Sequence, residues 1–182
     1  MFNDKIQKKI MEVLFEDYFV FNYSQHIVSC IDMSIFINDT IKYNSFYELT
    51  IVNYQSFTRK LFKMFYELEI ELSCLICLII YLKRLKKLGY QIHKYNITKI
   101  IIILGLLSIK NHDDFLPCSK DFIKACYQYK MLSGCDYAYN RIKPQYNMVY
   151  PLEIELLTFI NWDLSISSEE YNQNLKELLD DQ

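Results

Sequence analysis

The sequence predicts an all-α protein, and three observations carry that reading. Turn residues are scarce: Gly 3 and Pro 3 in 182 residues, about 3% where ordinary usage gives about 12%. A sandwich or barrel needs a turn about every 8–12 residues and cannot be built from so few. Hydrophobic residues make up 52% of the chain, enough for a sizeable core and too many for a disordered chain. Apolar residues also recur at three- and four-residue spacing along most of the length. The length favours one domain, or one domain with an extension. Lys plus Arg is 20 against Asp plus Glu 22, a net charge of -2. Such a balance gives no electrostatic reason to expect nucleic acid or an anionic membrane as partner. The three glycines, Gly89, Gly105 and Gly134, stand too far apart for a phosphate-cradling loop. The abundance of Ile, Asn, Lys and Tyr fits A/T-rich codon usage, so the strand propensity of Ile and Tyr carries little weight.

Residues 4–19 place Ile6, Ile10, Val13 and Leu14 at helical spacing. Residues 20–52 mix aromatics with Asn, Ser and Asp and read as short helices and loops. From Tyr54 to Glu67, Phe57, Leu61, Phe62, Met64 and Phe65 line one side of a helix. Residues 71–88 form the next, with Gly89 as its left-handed closing residue and Lys83, Arg84, Lys86 and Lys87 at the negative end of its dipole. Asn96 is the expected cap of a helix over 96–114. Its run from Ile100 to Leu107 is apolar on every side but shorter than the roughly 20 residues a bilayer span needs. An all-round apolar helix is one surrounded by others, so residues 97–109 are expected to be the most buried segment; a buried strand at 100–104 is the alternative. Gly105 and Ser108 would let a neighbour approach closely. Residues 119–130 read as a short helix capped by Ser119, and 131–147 as a loop. Pro151 suits a first helical turn, with Leu152, Ile154, Leu156, Leu157 and Ile160 following. Ser167-Ser168-Glu169-Glu170 caps a terminal helix carrying Tyr171, Leu175 and Leu178.

The six cysteines are Cys30, Cys74, Cys77, Cys118, Cys126 and Cys135. Cys74-x-x-Cys77 has no second pair and no His at zinc spacing, and within an apolar helix it reads as two small core residues one turn apart. The opening MFNDKIQKKIMEVLFED has no apolar leader segment. The expectation is an intracellular protein, nuclear or cytoplasmic, with six free thiols.

Four stretches in order carry a family pattern: FYELTIVNYQSFTRKLFKMF (46–65), SCLICLIIYLKRL (73–85), the apolar helix with Ser108-Ile109-Lys110 and Asp113-Asp114 (96–114), and YPLEIELLTFINWDLSISSEEY (150–171). Together they resemble the cyclin box, closest to the P-type cyclins. The resemblance implies a single five-helix box over 46–171, a helical extension over 1–45, and the remainder of a C-terminal helix over 172–182. It implies a binding protein without catalysis of its own, cofactor, metal or small-molecule substrate. Its partner would be a cyclin-dependent protein kinase, held in the active arrangement in which the kinase's strand Lys pairs with its regulatory-helix Glu. The family's two kinase-facing polar residues fall on Lys110 and Glu153, with Leu107, Leu157 and Trp162 as the expected apolar rim. An ammonium donates to carbonyls and a carboxylate accepts from N–H groups. Helix dipoles alone would also place such charges at a last and a first turn, and Leu107 and Leu157 also read as ordinary core.

The sequence departs from the pattern in four places. Asn111 replaces the apolar residue after the Lys. Lys83 replaces the acidic neighbour of Arg84, which leaves that arginine's ion pair in question. Thr98-Lys99 replaces His-Arg, and the 126–147 loop is long. Three other readings compete. Cyclin-box cores of transcription factors bind DNA and other proteins, but they are usually basic with two boxes, and a net charge of -2 and room for one box argue against that here. His112-Asp113 is the dipeptide of helical metal phosphohydrolases, which need further ligands converging on one ion. A degenerate box acting as a scaffold without kinase activation is kept open by Asn111.

Overall fold

The computed structural model describes residues 8, 10–12, 14, 16–32, 43–113, 119–131 and 146–180, with backbone only at 43–52, 119–120 and 146–148. Its helices are α1 (Asp17–Cys30), α2 (Tyr43–Glu67), α3 (Ser73–Lys87), α4 (Ile97–His112), α5 (Ser119–Gln128), α6 (Tyr146–Phe159) and α7 (Ser168–Leu179). Residues 8 and 10–12 are helical as well, and no strand occurs among the described residues. None of the described helices is long and apolar enough to cross a membrane. Of the expected 131–147 loop, residues 132–145 lie outside what is described, as do Cys118, Cys135 and the Ser119 side chain.

The centre is the α3–α4 pair. Helix α4 packs on α3, α5 and α6, while α3 also receives α1 and α7. The all-round apolar run is therefore a helix enclosed by helices, and the strand alternative at 100–104 falls. Burial is uninterrupted from Ile100 to Ile109, but the run from Leu72 to Leu82 is longer. The most buried segment is thus in α3, because its neighbours cover both flanks. Cys74 and Cys77 lie in that run as free, fully buried thiols, and burial raises the pKa of both.

Gly105 is where three helices close on α4. A β-carbon there would stand 3.3 Å from Phe122 Cζ of α5, 3.4 Å from Leu78 Cδ1 of α3 and 3.6 Å from Phe65 Cζ of α2. Phe65 and Phe122 meet edge to face at 5.9 Å. No side chain larger than a methyl fits without moving a fully buried ring.

Several elements depart from the sequence reading. The first helix does not run through 4–19: the chain is extended at Glu16 (φ -65, ψ 140) and α1 restarts at Asp17. The mixed 20–52 stretch conceals α1 because the core face of that helix is partly polar. Asn22 is buried yet satisfied by the carbonyls of Leu178 (3.2 Å) and Asp180 (3.1 Å). Ser24 is buried against Val20 O and the Thr58 hydroxyl. Helix α2 begins at Tyr43, not Tyr54. Asn96 precedes α4 but does not cap it; its amide instead closes the preceding turn, accepting from His93 N–H (2.7 Å) and donating to Gln91 O (2.9 Å). Pro151 is inside α6, whose first residue is Tyr146. The Ser167 hydroxyl caps α7 as expected, accepting from Glu170 N–H at 3.1 Å.

Four helices end in the same Schellman geometry, with a left-handed residue after the cap. At α3 this residue is Gly89 (φ 86), with Tyr90 N–H reaching Leu85 O at 3.0 Å. The scarcity of glycine leaves the same duty to Glu69 (φ 55) after α2, Lys130 (φ 53) after α5 and Asn161 (φ 54) after α6. A side chain in that region costs about 1 kcal/mol that glycine avoids. Glu69→Gly and Lys130→Gly are therefore each expected to raise the unfolding free energy by up to about 1 kcal/mol. A urea midpoint lowered by either substitution would contradict this account of the helix ends.

Candidate functional site

Lys110 is the first exposed residue after the buried run of α4 and sits in that helix's last turn. Glu153 lies on α6, seven residues in from its start. The Lys110 ammonium donates to Glu153 Oε1 at 2.5 Å, and the two side chains are 37% and 11% exposed. The pair therefore ties α4 to α6 with one half in water and the other nearly buried. The dipole of α4 accounts for the position of Lys110. It does not account for Glu153, because α6 begins before Pro151 and Glu153 is not in its first turn. A single ammonium carries three donors, so Lys110 can serve Glu153 and still donate to carbonyls outside.

The expected apolar rim divides. Leu107 is 2% exposed and Leu157 7%, so both belong to the core and present almost no area. Trp162 is 59% exposed and is the rim residue that faces solvent. Asn111 is exposed, and its amide donates to Leu164 O at 3.1 Å and Tyr81 Oη at 3.3 Å.

Sequence reasoning missed the polar network under the α6–α7 linker. Tyr81 and Arg84, one turn apart on α3, share a face. The Tyr81 hydroxyl donates to Leu164 O at 2.8 Å. The Arg84 guanidinium donates to Ser165 O (2.7 Å) and Asp163 O (3.3 Å), and grips Glu170 with two bonds of 3.0 and 2.5 Å. Burial works against the charge on Arg84, but the Glu170 carboxylate outweighs it and raises the pKa. Arg84 thus has its acidic partner, on α7 and not beside it in sequence; Lys83, which stands in the expected acidic place, pairs with Glu177 at 2.7 Å. The Ser-x-x-Glu-Tyr start of α7 is the sequence signal that holds this partner.

The His112-Asp113 dipeptide is absorbed by the fold. His112 Nε2 meets the Tyr81 hydroxyl at 2.7 Å, and Asp113 Oδ2 accepts Glu71 N–H at 2.9 Å. Among the described residues, no group of three His, Cys, Asp or Glu side chains is placed to hold a metal.

No family model, curated protein or solved structure matches this chain.

His26, on α1, faces Lys83 and Glu177 across the α1–α3–α7 junction. Its burial, reinforced by the Lys83 charge, pushes its pKa down from 6.5 to about 4. The unfolded chain takes up this proton near pH 6.5 and the native chain only near pH 4. The resulting stabilisation is complete above the unfolded value and is lost as pH falls through that window. Unfolding free energy is expected to drop by about 1–2 kcal/mol between pH 7 and pH 4.5, after discounting for partial exposure. His26→Gln should flatten most of the slope in urea titrations, leaving the smaller share of His112, whose pKa burial also lowers. Glu177, held below its usual range chiefly by its bond to Lys83, adds its loss only at lower pH. An unchanged slope in the variant would remove His26 from the account.

Proposed function

We propose that this chain is a regulatory subunit that binds a cyclin-dependent protein kinase and activates it, using a single cyclin-box fold over 46–171. The observation that carries the proposal is the Lys110–Glu153 pair. It joins the end of α4 to α6 at the two positions where the resemblance puts kinase-facing residues, and the helix dipole explains only one of them. The enclosed α4, wrapped by α3, α5 and α6, supports the same reading, as does the internal use of His112 and Asp113, which leaves the phosphohydrolase alternative without a metal constellation in the described residues. The Lys110 ammonium would bind backbone carbonyls on the kinase's regulatory helix, and the Glu153 carboxylate would anchor that ammonium and accept N–H groups. Binding energy that is larger for the active arrangement of the kinase shifts its population toward that state.

A scaffold that docks without activating is the second reading. Asn111 favours it, because an amide bonded to the α6–α7 linker stands where the family pattern has an apolar contact. Affinity capture of the tagged chain from its native cell lysate, with mass spectrometry and a phosphate-transfer assay, separates the readings. Recovery of a cyclin-dependent kinase whose transfer rate depends on the chain supports activation. The same kinase with an unchanged rate supports the scaffold. Reproducible recovery of no such kinase overturns activation and leaves a scaffold with no kinase.

A further inference from the structure

We propose that Tyr81, Arg84 and Asn111 are positioning residues that hold Trp162 outward as the aromatic anchor of the kinase interface; this rests on the function proposed above. The first ground is a backbone outlier. Asn161 and Trp162 are consecutive left-handed residues (φ 54 and 59), and neither is glycine. Such conformations persist only where their surroundings over-determine them, and they gather at functional sites. The second ground is a contrast within the fold. After the left-handed residue of α2 and α5 comes an apolar side chain that folds back into the core: Ile70 is 3% exposed and Met131 4%. After Asn161 the corresponding residue is Trp162, with its backbone N–H on Leu157 O at 2.7 Å, yet the residue is 59% exposed.

The third ground is the linker on the C-terminal side of Trp162. The next three carbonyls, of Asp163, Leu164 and Ser165, are each taken by a side chain of α3 or α4: Arg84 takes the first and third, and Tyr81 and Asn111 together take the second. Three successive carbonyls held from beneath fix the path of the linker, and with it the direction in which the preceding ring leaves the surface. Asn111 thereby acquires a role in place of the apolar contact that the family pattern has at this position. Exposed tryptophan held in one orientation is a costly arrangement for a free protein and a favourable one for an interface, because the ordering is complete before the partner arrives.

The test uses the fact that Trp162 is the chain's single tryptophan. In the protein alone, time-resolved fluorescence anisotropy should show the wild-type indole moving with the whole molecule, and the Tyr81→Phe/Asn111→Ala double variant should add a fast local component. An indole already free in the wild type would overturn the clamp without touching the kinase reading. The second measurement is affinity for the cyclin-dependent kinase recovered by the capture experiment. The double variant should bind about tenfold more weakly, and in a Trp162→Ala background the same two substitutions should cost less than about twofold. Tyr81 is fully buried, so its hydroxyl makes no direct contact with the kinase. Equal losses in both backgrounds would overturn the positioning role, since a merely structural effect is blind to Trp162. Recovery of no kinase would overturn the interface and the proposed function together, while leaving the anisotropy result to stand by itself.

Discussion

Gly105→Leu is expected to destabilise the fold by about 2–3 kcal/mol. The nearest atoms to its β-carbon are the ring tips of Phe122 and Phe65 and a methyl of Leu78, at 3.3 to 3.6 Å. All three side chains are fully buried, so none can swing into solvent to make room. Three further carbons would have to push α2, α3 or α5 away from α4, and each displacement opens a gap elsewhere in a close-packed interior. Gly105→Ala separates packing from backbone entropy. A methyl gains about 1 kcal/mol of helix propensity and meets one contact slightly tighter than usual, so the net change should be within about 1 kcal/mol of zero. Urea unfolding monitored by far-UV circular dichroism reads both. A Leu variant as stable as the wild type would mean that α4 is not enclosed at this point.

The second large effect is on binding. Replacing both Lys110 and Glu153 with Ala should weaken kinase binding by at least about 2 kcal/mol, the usual loss when hydrogen-bonded charges are truncated in a buried interface. The stability pattern should be asymmetric. Lys110→Ala leaves a carboxylate whose side chain is 11% exposed without its cation, at a cost of about 1–3 kcal/mol. Glu153→Ala leaves an ammonium that can turn to water, at under about 1 kcal/mol. The double variant should be more stable than Lys110→Ala alone, within about 1 kcal/mol of wild type, because the unpaired carboxylate is gone. A double variant that binds and activates the kinase at wild-type concentration would retire the site assignment and leave the helical fold untouched.

The central helices are readable in the sequence because their patterns are local. The apolar runs of α3 and α4, Gly89 as closing residue, the Ser167 cap and the small Gly105 are each decided within a few residues. The errors fall where a distant partner decides. Asn22 and Ser24 look like surface positions until α7 and α2 supply their hydrogen-bond partners. Leu107 and Leu157 share helical faces with Lys110 and Glu153, but a face is broader than one residue and the neighbouring helices bury these two. Arg84 lacks an acid only when sequence adjacency is the guide, for Glu170 stands 86 positions away. Pro151 prefers a helix start, and α6 instead accommodates it within. Asn111 reads as a lost contact, and only the path of the α6–α7 linker gives its amide a purpose.

The clasp between α1 and α7 has a kinetic consequence. Asn22 and Leu178 are 156 positions apart, so their contact closes a loop containing nearly the whole described fold. Each doubling of loop length adds about 0.6 kcal/mol of closure entropy, whereas the neighbouring helices α3 and α4 meet across a short turn. The chain should therefore condense around its middle and fasten its ends last. Contacts that form after the rate-limiting barrier govern how fast a protein comes apart, not how fast it assembles. The amide of Asn22, remote from the candidate kinase surface in sequence, is thus expected to act as a latch on the lifetime of the folded state, with Asn22→Ala speeding unfolding more than it slows folding.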